Sequence, residues 1–257
     1  MPRSTTKAKT VKKWAIGAGV AAFWLLVWQI VSVAVGQELL VPAPGLVAAT
    51  LWELCRTADF WQAAAASLVR IAVGFVAGVA VGAGLAVLTA RFILARRLFS
   101  PILKIVRATP VASFIILAFV WIVTDALPAF IAFLMVVPVV WGNVEKGIQE
   151  TDDRLLEMAA VFRLGRGKTL LHLRIPSVMP YFLSACTTAL GLAWKSGIAA
   201  EVICRPESSI GRLLQTAKNH LETAQVFAYT AVVILLSVLL EWLFLLLARR
   251  LGRRFNA

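Results

Sequence analysis

Gly167-Lys168-Thr169 closes the way a phosphate-cradling loop closes, so the first chemistry to weigh is nucleotide binding. The full pattern G-x-x-x-x-G-K-[ST] requires glycine at position 162, where this chain carries Phe162, and no strand-then-helix pattern surrounds the segment. The chain is therefore not expected to bind ATP. His172 and His220 stand alone, with no Asp, Glu, Cys or second His at ligand spacing, so no metal site is expected. Cys55, Cys186 and Cys204 lack C-x-x-C spacing and read as small apolar filler. Neither G-x-S-x-G nor H-E-x-x-H occurs, which leaves a hydrolase without nucleophile or metal, and no cofactor is expected in this chain. More informative are Arg70, Lys195 and Glu241, which fall within apolar runs, and Glu201, which falls near the end of one. A charge deep in a bilayer is costly and tends to face protein or a wet cavity. Lys195, between Trp194 and Ser196, is a candidate for drawing an anionic solute along a pathway; its plainer reading is an acidic partner or snorkelling to the interface. Arg70 reads as snorkelling from the start of its run, and Glu201 and Arg205, four apart, could support each other.

The elements that position these residues are set by composition. Of 257 residues, 60% are hydrophobic and 15% charged, against about 25% charged in soluble domains. Apolar runs cover residues 14–35, 65–90, 102–124, 127–144, 177–200 and 224–248, and about 20 helical residues cross a hydrocarbon core. This predicts an all-α membrane protein of six transmembrane helices. The third and fourth, parted only by Thr124, Asp125 and Pro128, should form a tight hairpin. The apolar run 14–35 is too long for a signal-peptide core and reads as a retained first span.

The net charge of +13 does not point to nucleic acid, because the cations lie between apolar runs rather than on one face. Twenty Lys and Arg fall on one set of loops and tails, and only Arg56, Arg205, Arg212 and Lys218 on the other. The positive-inside bias therefore puts both termini in the cytoplasm. It gives a cytoplasmic tail at 1–13, a permease domain at 14–248 with a cytoplasmic loop at 145–176, and a second cytoplasmic tail at 249–257. Gly74, Gly78 and Gly82, at intervals of four, strip one helix face for close packing, within the chain or against a second copy.

Residues 151–176 read TDDRLLEMAAVFRLGRGKTLLHLRIP. Asp152 or Asp153 can cap a short helix, Leu155, Met158, Ala159 and Phe162 form its apolar face, and Gly165 and Gly167 end it. A second helical stretch, 168–174, runs into Pro176. Taken alone, such a helix could lie on the lipid surface. Its order of residues resembles the EAA loop of binding-protein-dependent ABC importers, with Glu157, Met158 and Ala159 on E-A-A, Arg163 on the glycine, and Leu173, Ile175 and Pro176 on the closing I-x-L-P. Met158 and Arg163 depart from that pattern. The resemblance extends through Leu40 to Pro44, Ser67 to Arg70, Arg107 to Pro110, Ala199-Ala200-Glu201 and Ser209-Ile210-Gly211. Together these are similar to the permeases of the nitrate, sulfonate and taurine group.

The resemblance implies the type I importer arrangement, a MetI-like permease fold in a bacterial inner membrane. It implies as partners an ATP-binding ATPase subunit dimer, a second permease copy and an extracytoplasmic solute-binding protein, with ATP hydrolysis on the separate subunit. Glu157, Met158, Ala159, Phe162, Arg163 and Gly165 would then carry ATPase coupling, and residues 203–223 could meet the binding protein. The rival is a secondary transporter or channel working alone, which needs acidic or polar groups near the midplane; Glu241 is the acid placed deep in a span.

Overall fold

The computed structural model describes residues 5 to 255, and every regular element among them is helical. The tails expected at 1–13 and 249–257 lie partly outside the described residues; the described part begins in α1 (Thr5–Val35). The chain forms two compact units, Met1–Phe60 with Leu214–Val232, and Trp61–Leu213 with Val233–Ala257.

The first unit holds α1, α2 (Pro44–Leu54), most of α10 (Ile210–Asn219) and the start of the last helix. Gly36, at φ 64°, ends α1 where a side chain would be strained. The chain then folds back, so that Ser32 Oγ donates to Val41 O at 2.9 Å and Trp28 Nε1 to Pro42 O at 3.1 Å. Pro44 opens α2, where its missing N–H costs nothing.

The second unit is built on α3 (Ala58–Arg91), α6 (Leu127–Gln149) and α9 (Ile175–Cys204), with the remainder of α11 (Thr223–Phe255). The glycine stripe on α3 faces α6 of the same chain. A Cβ on Gly74 would strike the Ala129 carbonyl, one on Gly78 would come within 2.7 Å of Val136 Cβ, and one on Gly82 within 2.9 Å of Val137 O. Small residues let the two backbones meet, which is how helices gain packing energy where lipid is as apolar as leucine.

The expected third span, 102–124, is not a continuous helix. Instead α4 (Ile93–Ala108) and α5 (Val111–Ala118) meet at 105°. Pro110 is the cause: it forces Thr109 out of the helical region, to φ −83° and ψ 131°, and supplies no N–H to carry the ladder onward. Ile115 and Ala118 of α5 are buried with Leu127 and Ile131 of α6 and Ala200 and Cys204 of α9, whereas α4 buries no residue. The expected tight hairpin is thus a short helix and a turn leading into α6. Among the described residues, five helices are long and apolar enough to cross a membrane, or six if the bent pair counts as one span. The stretch after the loop is also not separate. Helix α8 (Arg166–Thr169) widens into a π-turn at Leu170–Arg174 and continues as α9, the wide turn falling just ahead of Pro176, which has no N–H to give a regular ladder.

Candidate functional site

The loop between α6 and α9 carries α7 (Asp153–Val161). Asp152 is its N-cap, its carboxylate accepting from Arg154 N at 2.9 Å, so one unpaired amide is satisfied where the helix dipole favours negative charge. The C-terminus corrects the expectation that Gly165 and Gly167 end the helix. Arg163 itself takes the left-handed conformation, at φ 50°, and its N–H bonds Ala160 O at 3.0 Å while Leu164 N bonds Ala159 O at 2.9 Å. Those two bonds form a Schellman closure with a non-glycine residue at the position where glycine is easiest. Gly165 instead precedes α8 in extended backbone, and Gly167 to Thr169 lie inside that helical turn rather than in a phosphate-binding loop.

Ala159, 2% exposed, seats α7 on the protein. Leu156 is half-buried, but Met158 is 43% exposed, Phe162 71% and Val161 79%. Leu155 and Leu164 are exposed beside them, and Glu157 and Arg163 are exposed as well. Val161 falls beside the expected stripe and is nevertheless the most exposed of the three.

The two helices that flank the loop are tied to each other. Tyr181 of α9 packs on Gly147 of α6, where a Cβ would come within 2.9 Å of its ring, and its hydroxyl donates to Glu150 Oε2 at 2.6 Å. Lys146 Nζ lies 3.6 Å from Glu150 Oε1. The Tyr181 hydroxyl first, and Lys146 second, hold the Glu150 carboxyl below its usual value.

The largest correction concerns Arg70. It does not snorkel: Nη2 donates to Glu207 O at 2.6 Å and Nη1 to Ser208 O at 3.1 Å, with Asp125 Oδ1 at 3.5 Å and Glu201 Oε1 at 3.7 Å. Nor does Glu201 pair with Arg205, which turns left-handed at φ 53° to end α9. Glu201 is wholly buried and accepts from Ser67 Oγ at 2.7 Å and Gly211 N at 3.2 Å, and Ser67 Oγ also accepts from Ile210 N at 3.1 Å. A buried carboxylate persists because it is hydrogen-bonded and faced by a cation. The three-residue spacing of Ser67 and Arg70 is visible in the sequence; their joint partner Glu201, 134 residues beyond Ser67, is not.

Lys195 projects from α9 on the side away from buried Trp194, Ser196 and Glu201, and no ion pair joins it among the described residues. Ser184 and Thr188 are exposed on the same side of α9 and Gly191 has open space around it, so a polar, small-residue stripe at helical spacing leads to the lysine. Glu241 is exposed on α11.

Comparison with known proteins agrees with this architecture. The family described as binding-protein-dependent transport system inner membrane component matches residues 74–253. An Escherichia coli K12 protein named as an aliphatic sulfonates transport permease is 30% identical over 228 residues, 84% of this chain and 84% of that protein. A nitrate import permease of Synechococcus elongatus is 27% identical over 211 residues, 76% of this chain and 74% of that one. The crystal structure of an amino acid ABC transporter with histidines shares the fold, with TM-score 0.57 at 17% identity over 73% of this chain and 90% of that chain. These place a transport component, not a catalytic enzyme, in a bacterial inner membrane that it crosses several times. The chain belongs to the binding-protein-dependent transport system inner membrane components, as an ABC importer permease of the nitrate, sulfonate and taurine group.

Proposed function

We propose that the chain carries a small anionic solute of the nitrate and sulfonate class across the membrane, and that α7 is where a separate ATPase subunit grips it. One observation carries the coupling role: Met158, Val161 and Phe162 lie uncovered on a short, capped helix that follows directly on the Tyr181–Glu150 tie between α6 and α9. An exposed aromatic with apolar neighbours at a rigid site is the usual anchor of a protein interface. Glu157, Arg163 and Gly165 border that patch, with Arg163 setting its end through the left-handed turn. Closure of an ATPase dimer would pull α7, and the Tyr181–Glu150 brace would pass that pull to α6 and α9.

The anion preference is supported by Lys195 at the end of the Ser184, Thr188 and Gly191 stripe, and by relatives named for sulfonates and nitrate. A second copy of the chain would complete the pathway opposite that stripe. An extracytoplasmic binding protein would deliver solute on the side holding Arg56, Arg205, Arg212 and Lys218, opposite the cytoplasmic termini. The chain itself needs no cofactor. Phe162→Ala in vesicles reconstituted with the ATPase and binding protein tests the reading. The expected result is at least a tenfold loss of ATP-dependent uptake, with permease folding intact; uptake equal to wild type would sink it.

A further inference from the structure

Helix α4 shows the features of a helix that enters the membrane obliquely from its surface, and every charge it carries is cationic. Its sixteen residues hold Arg96, Arg97, Lys104 and Arg107 and no acidic residue. At 1.5 Å per residue it is about 24 Å long, short of a hydrocarbon core of about 30 Å. The bend of 105° at Thr109-Pro110 prevents it from extending α5 into one straight span.

Three sides of α4 have different surroundings. One packs on α6: Arg96 Nε lies 3.2 Å from Glu145 Oε1, Phe99 meets Trp141 edge-on at 6.4 Å, and Arg107 donates to Pro138 O at 2.6 Å in the notch that Gly142 leaves open. As α4 advances about 16 Å from Arg96 to Arg107, its contacts retreat along α6 only about 10 Å, from Glu145 to Pro138. The helix therefore descends obliquely from the end of the span, over the depth that surface-lying helices occupy. A second side is apolar and bare: Leu94, Leu98, Ile102 and Ile105 recur at helical spacing and all are more than half exposed. Between the two runs an edge carrying Arg97 and Lys104, exposed and joined to no ion pair or hydrogen bond among the described residues.

We infer that α4 is a lipid-binding helix that seats anionic phospholipid headgroups on Arg97 and Lys104 while its Leu94, Leu98, Ile102 and Ile105 stripe enters the acyl region. Charge complementarity selects the lipid, because two unpaired cations beside an apolar stripe with no acid on the helix match a phosphate carrying a net negative charge above acyl chains, and not a neutral headgroup. Such contact would hold the α4–α5 bend against α6, next to the bonds of Arg107.

The test is binding of a tail-fluorescent phosphatidylglycerol to the full purified chain in neutral detergent, with phosphatidylcholine of the same tail as the reference. The wild type should prefer phosphatidylglycerol by at least tenfold, the preference falling as salt rises. Arg97→Gln with Lys104→Gln should weaken phosphatidylglycerol binding about thirtyfold, since each cation near an anionic surface contributes on the order of a fivefold effect. The charge-preserving pair Arg97→Lys with Lys104→Arg should retain it. Arg56→Gln with Lys218→Gln, which removes the same net charge elsewhere, should change it less than twofold. Equal loss in that control would mean bulk charge and overturn the inference. So would competition by millimolar inorganic phosphate, which would mean a free-anion site. The third contrary result is Ile102→Lys separating two copies by light scattering with lipid affinity unchanged, which would make the stripe a contact between protomers.

Discussion

Ser67→Ala removes a single oxygen and should destabilise the fold far more than its size suggests. Ser67 is wholly buried, and its hydroxyl both donates to Glu201 at 2.7 Å and accepts from Ile210 N at 3.1 Å. Alanine would leave Glu201, itself wholly buried, with Gly211 N at 3.2 Å and the more distant Arg70 charge at 3.7 Å, and would leave the Ile210 amide without its partner. A hydrogen bond to a buried charge contributes about 1.5–3 kcal/mol, and an orphaned buried amide costs about 1–3 kcal/mol. With partial relaxation the loss should be about 3 kcal/mol, more than a hundredfold in the folding equilibrium. The assay is reversible unfolding of the detergent-solubilised chain across a denaturant series, with wild type and Ser184→Ala as references. Ser184 is exposed on α9, and its loss should stay within about 0.5 kcal/mol. A Ser67→Ala protein within that same margin would refute the claim that this network holds α3, α9 and the segment after Arg205 together.

Arg163→Gly should stabilise the loop by about 1 kcal/mol, because glycine meets no Cβ penalty at φ 50°; unchanged or lower protease resistance of residues 151–176 would contradict the Schellman closure. Lys195→Ala should lower uptake of an anionic solute at least tenfold while leaving ATPase binding intact, and normal uptake would remove Lys195 from the pathway. The Glu150–Tyr181 brace should be acid-sensitive. Because the folded carboxyl titrates below its ordinary 4.5, the brace stabilises fully above that value and is lost as pH falls below it. The stability gap between wild type and Tyr181→Phe should therefore hold steady from neutral pH down to about 5 and close in stronger acid. A gap that does not change with pH would mean that the hydroxyl contributes without Glu150.

The spans were legible because lipid imposes one simple demand, a long apolar helix, and runs such as 65–90 and 224–248 meet it without help from distant residues. The glycines at 74, 78 and 82 were legible as a packing face for the same reason, though only the fold shows that Ala129, Val136 and Val137 fill it. The stretch 102–124 misled because mean apolarity does not record direction. Ile102 and Ile105 count toward a span whether the helix crosses the membrane or lies along it, and the decisive signals were Pro110 and the one-sided placement of Arg96, Arg97, Lys104 and Arg107.

The candidate residues divide along the same line. Local helical spacing marks the stripe of Met158, Ala159 and Phe162, but only the fold shows that Ala159 is buried while the other two are uncovered. Arg163 and Arg70 could not be read correctly, since what each does is decided by something other than its charge. For Arg163 that is the backbone: the helix stops where its last carbonyls find Arg163 and Leu164 amides, and the arginine accepts the left-handed turn that results. For Arg70 it is tertiary partners contributed by Asp125, Glu201, Glu207 and Ser208, none of which is within a helical turn of it. A cation near the start of a span looks like a snorkelling side chain until an acid from another helix faces it. The cost of burying Glu201 alone is what makes that pairing obligatory, and it is why residues 67, 70, 201 and 211 act as one unit although the chain lists them far apart.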